Sequence, residues 1–328
     1  MSRTITYIDA ITEALDQEME RDDRVFIMGE DIGPSGGVFK ATAGLWEKYG
    51  EDRVLDTPLA ENNIIASALG AAMVGLRPVP EIQFADFITP AMDTIIQQAA
   101  KIHYRSNGAF KVPITVRICC GGSSGSGLYH SQENAAWFTH EPGLKVVMPA
   151  TAYDAKGLLL AAIRDPNPVL YFEHKKLYRS VKGDVPDDDY IVPLGKAAVR
   201  REGRDMTILT YGSMLHLSMD AAEQMAKKGV ETEVVDLRTL APLDKDTILS
   251  SVRKTSKCLI VHEDKRTMGI GAELAAIVGE EAFDDLDGPI MRITGPDIPA
   301  MPFSPPLEKA WQVNTEKIIA GMEKLAAY

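Results

Sequence analysis

Apolar positions along the chain fall into two kinds of spacing. From 4 to 21 they recur every three or four residues and place Ile8, Ile11, Leu15 and Met19 on one face, which predicts an amphipathic helix. The next stretch, RVFIMG (24–29), is a short apolar run and predicts a buried strand. The alternation then continues, with strands expected at 79–82, 114–119, 144–148 and 169–172 and helices at 61–75, 89–105 and 152–164. Helix 61–75 is rich in Ala and Gly, and its Ala66, Gly70 and Ala71 would let another backbone approach closely. A polar, acidic, proline-containing segment follows (VKGDVPDDDY, 181–190) and reads as a linker. Beyond it, strands are expected at 207–211, 233–237, 258–261 and 290–293, and helices at 214–228, 245–254, 270–283 and 307–325. Alternation of this kind implies mostly parallel sheets with helices on both faces. The chain is therefore expected to be an α/β protein of two domains, 1–185 and a smaller 186–328.

A length of 328 residues agrees with two domains. The formal net charge of −12 argues against nucleic acid or an anionic membrane as the main partner, because phosphate binding relies on Lys and Arg. It leaves room for a small anionic substrate held by a local basic site. No apolar run reaches the ~18 residues of a membrane span, and MSRTITYIDA lacks the layout of a signal peptide. A cytoplasmic location is expected. The three cysteines, Cys119, Cys120 and Cys258, form neither a disulfide framework nor a zinc pattern.

A few polar residues stand out from this pattern. Glu61, in Asp-Thr-Pro-Leu-Ala-Glu, opens the small-residue helix. A carboxylate there complements the helix dipole. Alternatively, it is a partly desolvated acid, with Leu59 and Ile64 nearby, that exchanges a proton with a bound ring nitrogen. His130 follows a strand and a glycine–serine loop (121–127), where α/β proteins place ligand-binding groups. That loop lacks the lysine and spacing of a phosphate-binding fingerprint and reads as a flexible segment near a cofactor or an interface. Ser131 beside His130 lacks the nucleophile-elbow context of a hydrolase. No two of the six histidines stand at metal-ligand spacing, and His262-Glu263-Asp264 ends a strand in a place suited to an interface.

Five segments resemble one family. They are GEDIGPSGGVFKATAGL (29–45), DTPLAENNI (56–64), PVPEIQFADF (78–87), LYHSQENAAWFTHEPGLKVVMPATAYDAKGLL (128–159) and VVDLRTLAPLD (234–244). With the C-terminal GPDIPAMPFSP they are similar to the β subunits of the decarboxylating component of 2-oxo acid dehydrogenase complexes, over essentially the whole chain. EHKKLYRSVKGDVP and GPDIPAMP look like the bacterial branch that acts on branched-chain 2-oxo acids (2-oxoisovalerate). Pyruvate and acetoin relatives share much of the pattern.

The resemblance implies a transketolase-like α/β fold, a parallel-sheet pyrimidine-binding domain followed by a smaller transketolase C-terminal-type domain. It implies thiamine diphosphate with magnesium as cofactor. Glu61 would hydrogen-bond the aminopyrimidine ring nitrogen, and Leu59 would lie under the cofactor to support its bent shape. Gln83 and Phe87 would line the aminopyrimidine pocket; many relatives carry Tyr at the Phe87 position, so stacking remains here without a hydroxyl. His130 would face the reacting carbon and assist transfer to lipoamide. A structural potassium ion is implied at the main-chain carbonyls of Val112, Ile114, Thr115, Ala162, Asp165 and Asn167.

The family binds the diphosphate and magnesium through a Gly-Asp-Gly segment and a later Asn. No Gly-Asp-Gly occurs in this chain, since Gly183-Asp184-Val185 falls in the expected linker. The resemblance therefore implies an α subunit that supplies half the site, in a heterotetramer of two α and two β chains. It further implies a lipoyl-bearing dihydrolipoyl acyltransferase core as partner and a small 2-oxo acid as substrate. The expected activity is oxidative decarboxylation of 2-oxoisovalerate with reductive acylation of lipoamide. The alternatives are a pyruvate or acetoin enzyme of the same architecture and, more remotely, a non-catalytic scaffold subunit.

Overall fold

The computed structural model describes residues 2–122 and 125–328; Ser123 and Ser124 of the glycine–serine loop lie outside the described residues. The strands are β1 (Ser2–Thr6), β2 (Val25–Gly29), β3 (Val54–Asp56), β4 (Arg77–Ile82), β5 (Thr115–Cys120), β6 (Lys145–Val147) and β7 (Val169–His174). They continue with β8 (Lys182–Pro186), β9 (Ala198–Arg201), β10 (Met206–Thr210), β11 (Thr232–Asp236), β12 (Thr239–Ala241), β13 (Cys258–Lys265) and β14 (Met291–Gly295). A seven-stranded sheet has the order β12-β6-β7-β5-β4-β2-β3, parallel except for β12. A five-stranded sheet has the order β14-β13-β10-β11-β9, parallel except for β9. Helices cover both sheets, and every residue of β5, β7 and β10 is buried, as parallel strands between helical layers must be.

Every strand expected from the apolar runs is present. The first helix, however, begins at Tyr7 rather than at residue 4. Thr6 caps it: its hydroxyl accepts from the Asp9 N–H while the Asp9 carboxylate accepts from the Thr6 N–H. That frees residues 2–6 to form β1, which pairs antiparallel with β8. The expected linker is thus partly a strand, with the Thr4 hydroxyl donating to Asp184 at 2.5 Å. The helix expected over 89–105 is a succession of a 3₁₀ segment (Ala85–Ala91), a π-helical turn (Thr94–Ala99) and an α-helix (Ala100–Arg105). Pro90 offers no N–H for a regular ladder there. The helix expected over 307–325 breaks into Pro305–Trp311 and Thr315–Ala326, because Asn314 caps the second piece by accepting from the Lys317 N–H at 2.8 Å.

The two halves are stitched together by β12. It comes from the C-terminal half, yet it forms the edge of the first sheet beside β6. The Met148 N–H donates to the Arg238 carbonyl at 2.8 Å, and Arg238 pairs with the fully buried Asp154 at 2.9 Å.

Candidate active site

The parallel strands of the first sheet all deliver their following residues to one edge. Glu30 follows β2, Gln83 follows β4, Gly121 follows β5 and Lys175 follows β7. A cleft at the carboxyl ends of parallel strands is where α/β folds bind ligands. Glu61 is the first residue of helix Glu61–Met73 and is half-buried. Its preceding residue, Ala60, offers no side-chain cap, so the open N–H groups of that helix end favour a carboxylate in the first turn. Glu30 is half-buried beside it, and its carboxyl is raised above the usual range by burial, then by the charges of Glu61, Asp31 and Glu81. The Gln83 amide donates to the Glu30 carbonyl at 3.2 Å.

His130 completes the wall. Its ring meets Phe84 edge-on at 4.5 Å between centroids and Phe87 at 5.3 Å, with Phe84 and Phe87 themselves edge to face. Edge-to-face contacts of this kind hold ring orientation. The loop bearing His130 is fastened at several points. The Lys175 ammonium donates to the carbonyls of both Gly121 and His130, and the Gly121 N–H donates to the Gln132 carbonyl at 3.0 Å. Glu263, at the end of β13, accepts from the Gly122 N–H at 2.6 Å and lies 2.9 Å from the His174 ring. Burial would raise the Glu263 carboxyl, but His174, the Gly122 N–H and Lys175 hold it below the ordinary value. Glu133 is buried, accepts from the Tyr211 hydroxyl at 2.9 Å, and is pushed up to about 8 by burial and then by Asp264. His262-Glu263-Asp264, read from sequence as an interface segment, is thus buried between the two halves of this same chain.

The structure therefore brings Gln83, Phe87 and His130 together with Glu61 at the sheet edge. Leu59 does not join the packed wall: it lies in the turn before the helix and is 78% exposed in this chain. Ile64 points into the core instead, so neither residue shields Glu61. Sequence reasoning did not single out Glu30, Phe84 or Lys175. For Glu30 and Phe84 a signal was available in their position, since each closely follows an apolar strand; the contacts of Lys175 come from a distant loop.

The six carbonyls expected to hold potassium lie on two segments that meet. The Val112 N–H donates to Pro166, and the Val169 N–H donates to Ile114 at 2.9 Å. Val112 and Ala162 accept from Ile114 and Asp165, at 2.8 and 3.1 Å. The Arg77 guanidinium donates to Ile163 at 2.6 Å and to Asp165 at 3.3 Å. Each carbonyl has a second lone pair, so the set fits a hard cation only as a second partner, beside a charge that Arg77 already supplies. Thr115 and Asn167 complete the two segments.

Comparison with known proteins shows what this arrangement belongs to. The family model "Transketolase, pyrimidine binding domain" matches residues 3–181, and "Transketolase, C-terminal domain" matches 195–318. The chain is 56% identical over 324 residues to 2-oxoisovalerate dehydrogenase subunit beta of Bacillus subtilis (strain 168), covering 99% of each. It belongs to the family of 2-oxo acid dehydrogenase β subunits. Within that family it is 45% identical over 324 residues to the pyruvate dehydrogenase E1 component subunit beta of the same organism, again covering 99% of each. The 2-oxoisovalerate dehydrogenase subunit beta of Pseudomonas aeruginosa is 47% identical over 312 residues, with 90% of this chain and 88% of the relative covered. A solved structure titled "Split gene transketolase, inactive beta4 tetramer" overlays with a TM-score of 0.80 at 23% identity, covering 98% of both chains, which establishes the transketolase-like fold. Among the described residues no helix is long and apolar enough to cross a membrane.

2-Oxo acid dehydrogenases use thiamine diphosphate, and the residues of this β subunit fit its pyrimidine end. A helix-terminal carboxylate, an amide and a Phe–Phe–His wall are the groups a flat heteroaromatic ring with polar edges requires. Among the described residues no group of three or more His, Cys, Asp or Glu side chains forms a metal site.

Proposed function

We propose that this chain is the β-type subunit of a thiamine-diphosphate-dependent dehydrogenase for branched-chain 2-oxo acids, with 2-oxoisovalerate as substrate. It works only when joined to an α-type chain, in an assembly of two α and two β subunits. The observation that carries the reading is the convergence of Glu61, Gln83, Phe87 and His130 at one sheet edge. The substrate assignment is supported by the higher identity to the 2-oxoisovalerate enzyme of B. subtilis (56%) than to its pyruvate counterpart (45%).

When bound, the cofactor supplies a nucleophilic carbon and an electron sink for the decarboxylation. Glu61 holds a proton at the aminopyrimidine ring nitrogen, Gln83 and Phe87 orient that ring, and Leu59 supports the cofactor from below once the site is closed by the partner. His130 faces the reacting carbon and supplies the proton taken up by the departing sulfur of lipoamide. Magnesium and the diphosphate are held by the α chain, which carries the oxygen ligands such a site needs. Potassium at the carbonyls of Val112, Ile114, Thr115, Ala162, Asp165 and Asn167 belongs to the same proposal. So do a lipoyl-bearing dihydrolipoyl acyltransferase core as acceptor and a cytoplasmic location.

The test is decarboxylation of 2-oxoisovalerate and pyruvate, and oxidative cleavage of acetoin, by this chain with and without its co-expressed α-type partner. Thiamine diphosphate and magnesium are supplied throughout. Activity only with the partner and highest on 2-oxoisovalerate is expected. Activity highest on pyruvate or acetoin would keep the mechanism and overturn the substrate. Activity in no combination would overturn the catalytic role.

A further inference from the structure

Away from the sheet edge that carries Glu61, the C-terminal half holds an open hollow of about 690 Å3 between β14 and the helices Pro305–Trp311 and Thr315–Ala326. Four cations line it: Arg266, Arg292, Lys317 and Lys324. In a chain with 47 acidic and 35 basic residues, cations ordinarily find carboxylates, as Lys245 and Arg253 do elsewhere in the C-terminal half. Among the described residues none of these four has a carboxylate within ion-pair distance. The Arg266 and Arg292 guanidiniums each donate to the other's main-chain carbonyl, at 2.9 and 3.0 Å, and Lys317 donates to the carbonyls of Ala310 and Gln312 at 2.6 Å each. Those contacts fix the side chains without neutralising them, and each guanidinium keeps further N–H donors. The one lining carboxylate, Asp297, accepts from the Thr267 hydroxyl at 2.7 Å and the Thr267 N–H at 2.9 Å, and it also feels the Arg266 charge, so it offsets part of one of the four and leaves Arg292, Lys317 and Lys324 without a carboxylate.

The local field is correspondingly positive. His262, fully buried behind this edge, is held down to about 4 by burial first, then by the charges of Arg292 and Arg266. The rest of the hollow is apolar, with Met291, Ile293, Gly321 and Trp311 among its lining. Trp311 is 8% exposed, and its indole N–H has no partner among the described residues.

We propose that this hollow binds a small organic anion in which a phosphate group is joined to an apolar body. Clustered cations that lack carboxylate partners match a multiply charged head, and the planar forks of two arginines match phosphate oxygens. The apolar lining and the indole match the body, which buries carbon against carbon. The site is separate from the cofactor cleft and does not depend on the proposed reaction.

The probe is phenyl phosphate, titrated into the full chain assembled with its α-type partner and saturated with thiamine diphosphate and magnesium. Binding is read by calorimetry and by Trp311 fluorescence in a Trp46→Phe, Trp137→Phe background. The expected result is a dissociation constant below about 1 mM, several-fold tighter than inorganic phosphate, that weakens as salt is added. Lys324→Glu and Ala320→Glu, both at exposed positions, should each weaken binding at least tenfold with an unchanged melting temperature. No saturable binding by 10 mM on the order of that scale, or equal affinity in the parent and both variants, would overturn the site. Equal affinity for phosphate and phenyl phosphate would overturn the apolar half of the ligand.

Discussion

The ammonium group of Lys175 donates to the main-chain carbonyl of His130, and the same group donates to the carbonyl of Gly121 at the other foot of the loop. One side chain thus ties together both ends of the segment that presents the histidine. Lys175 is therefore a positioning residue for His130. Lys175→Met, which keeps the length and loses the donors, is expected to slow acyl transfer to lipoamide at least tenfold. Decarboxylation read with an artificial electron acceptor should fall by less than about threefold, since an effect confined to one step separates positioning from general damage. Lys175→Arg should restore most of the transfer. His130→Ala in the same two assays is the control. A selective loss in His130→Ala but none in Lys175→Met would mean that the clamp does not govern the ring.

Glu61 stands at the start of its helix, half-buried, with Glu30 raised beside it. Its contribution to folding is that of a first-turn carboxylate, about 0.3–1 kcal/mol. Glu61→Ala should therefore leave the melting curve nearly unchanged while abolishing turnover in the assembled enzyme. Near-normal decarboxylation in that variant would sink the assigned role.

Glu133 gives a pH signature of its own. Asp264 and Glu263 face it and raise its carboxyl, while the Ala135 N–H and the Tyr211 hydroxyl oppose them, and burial is larger than any of these. Between its ordinary value of 4.5 and about 8, the folded chain keeps a proton that the unfolded chain has released. Stability must then fall as pH rises through that window, and the contribution is complete only below it. Asp264, raised to about 6, adds a loss of the same sign at lower pH. Glu133→Gln keeps an acceptor for the Ala135 N–H and cannot ionise. Its melting temperature should match the parent near the low end of the window and exceed it by about 2 °C or more above pH 8. Parallel pH profiles would show that Glu133 is not protonated in the folded chain.

What the sequence made legible follows from the strength of the local signal. Unbroken apolar runs such as 25–28 and 169–172 belong to strands in the middle of the sheet, and the runs identified them. Short or polar strands carried no such run. β8 (KGDVP) is held by main-chain pairing with β1, and β12 (TLA) by its place at the edge of a sheet built by the other half of the chain. Motif resemblance drew attention to Glu61, Gln83, Phe87 and His130, which the fold sets along one sheet edge. Lys175 was not, because what distinguishes it is two main-chain carbonyls that fold onto it from a distant loop. The exposure of Leu59 was equally hidden, since an apolar residue in a turn gives no signal of whether its own chain packs over it.

Arg117 supplies the sharpest stability test because three adjacent strands depend on it. From the middle of β5 it donates to Glu173 on β7 at 2.6 and 2.8 Å and to Glu81 on β4 at 2.5 Å, and Tyr178 adds a hydroxyl to Glu173 at 2.8 Å. Arg117 is 2% exposed, and both carboxylates are buried with it. Burial raises the Glu81 carboxyl, with Arg117 opposing the shift. Removing the guanidinium leaves two buried carboxylates facing one another, so Arg117→Met should cost about 3–5 kcal/mol. The loss should deepen with rising pH, because the remaining carboxyls are then forced to ionise. Urea unfolding at pH 6 and 8 reads this as a lower midpoint. Adding Glu81→Gln and Glu173→Gln to Arg117→Met removes both charges and should recover a large part of the loss. If the triple variant is no more stable than Arg117→Met, the cost lies in packing around the arginine stem and not in stranded charge.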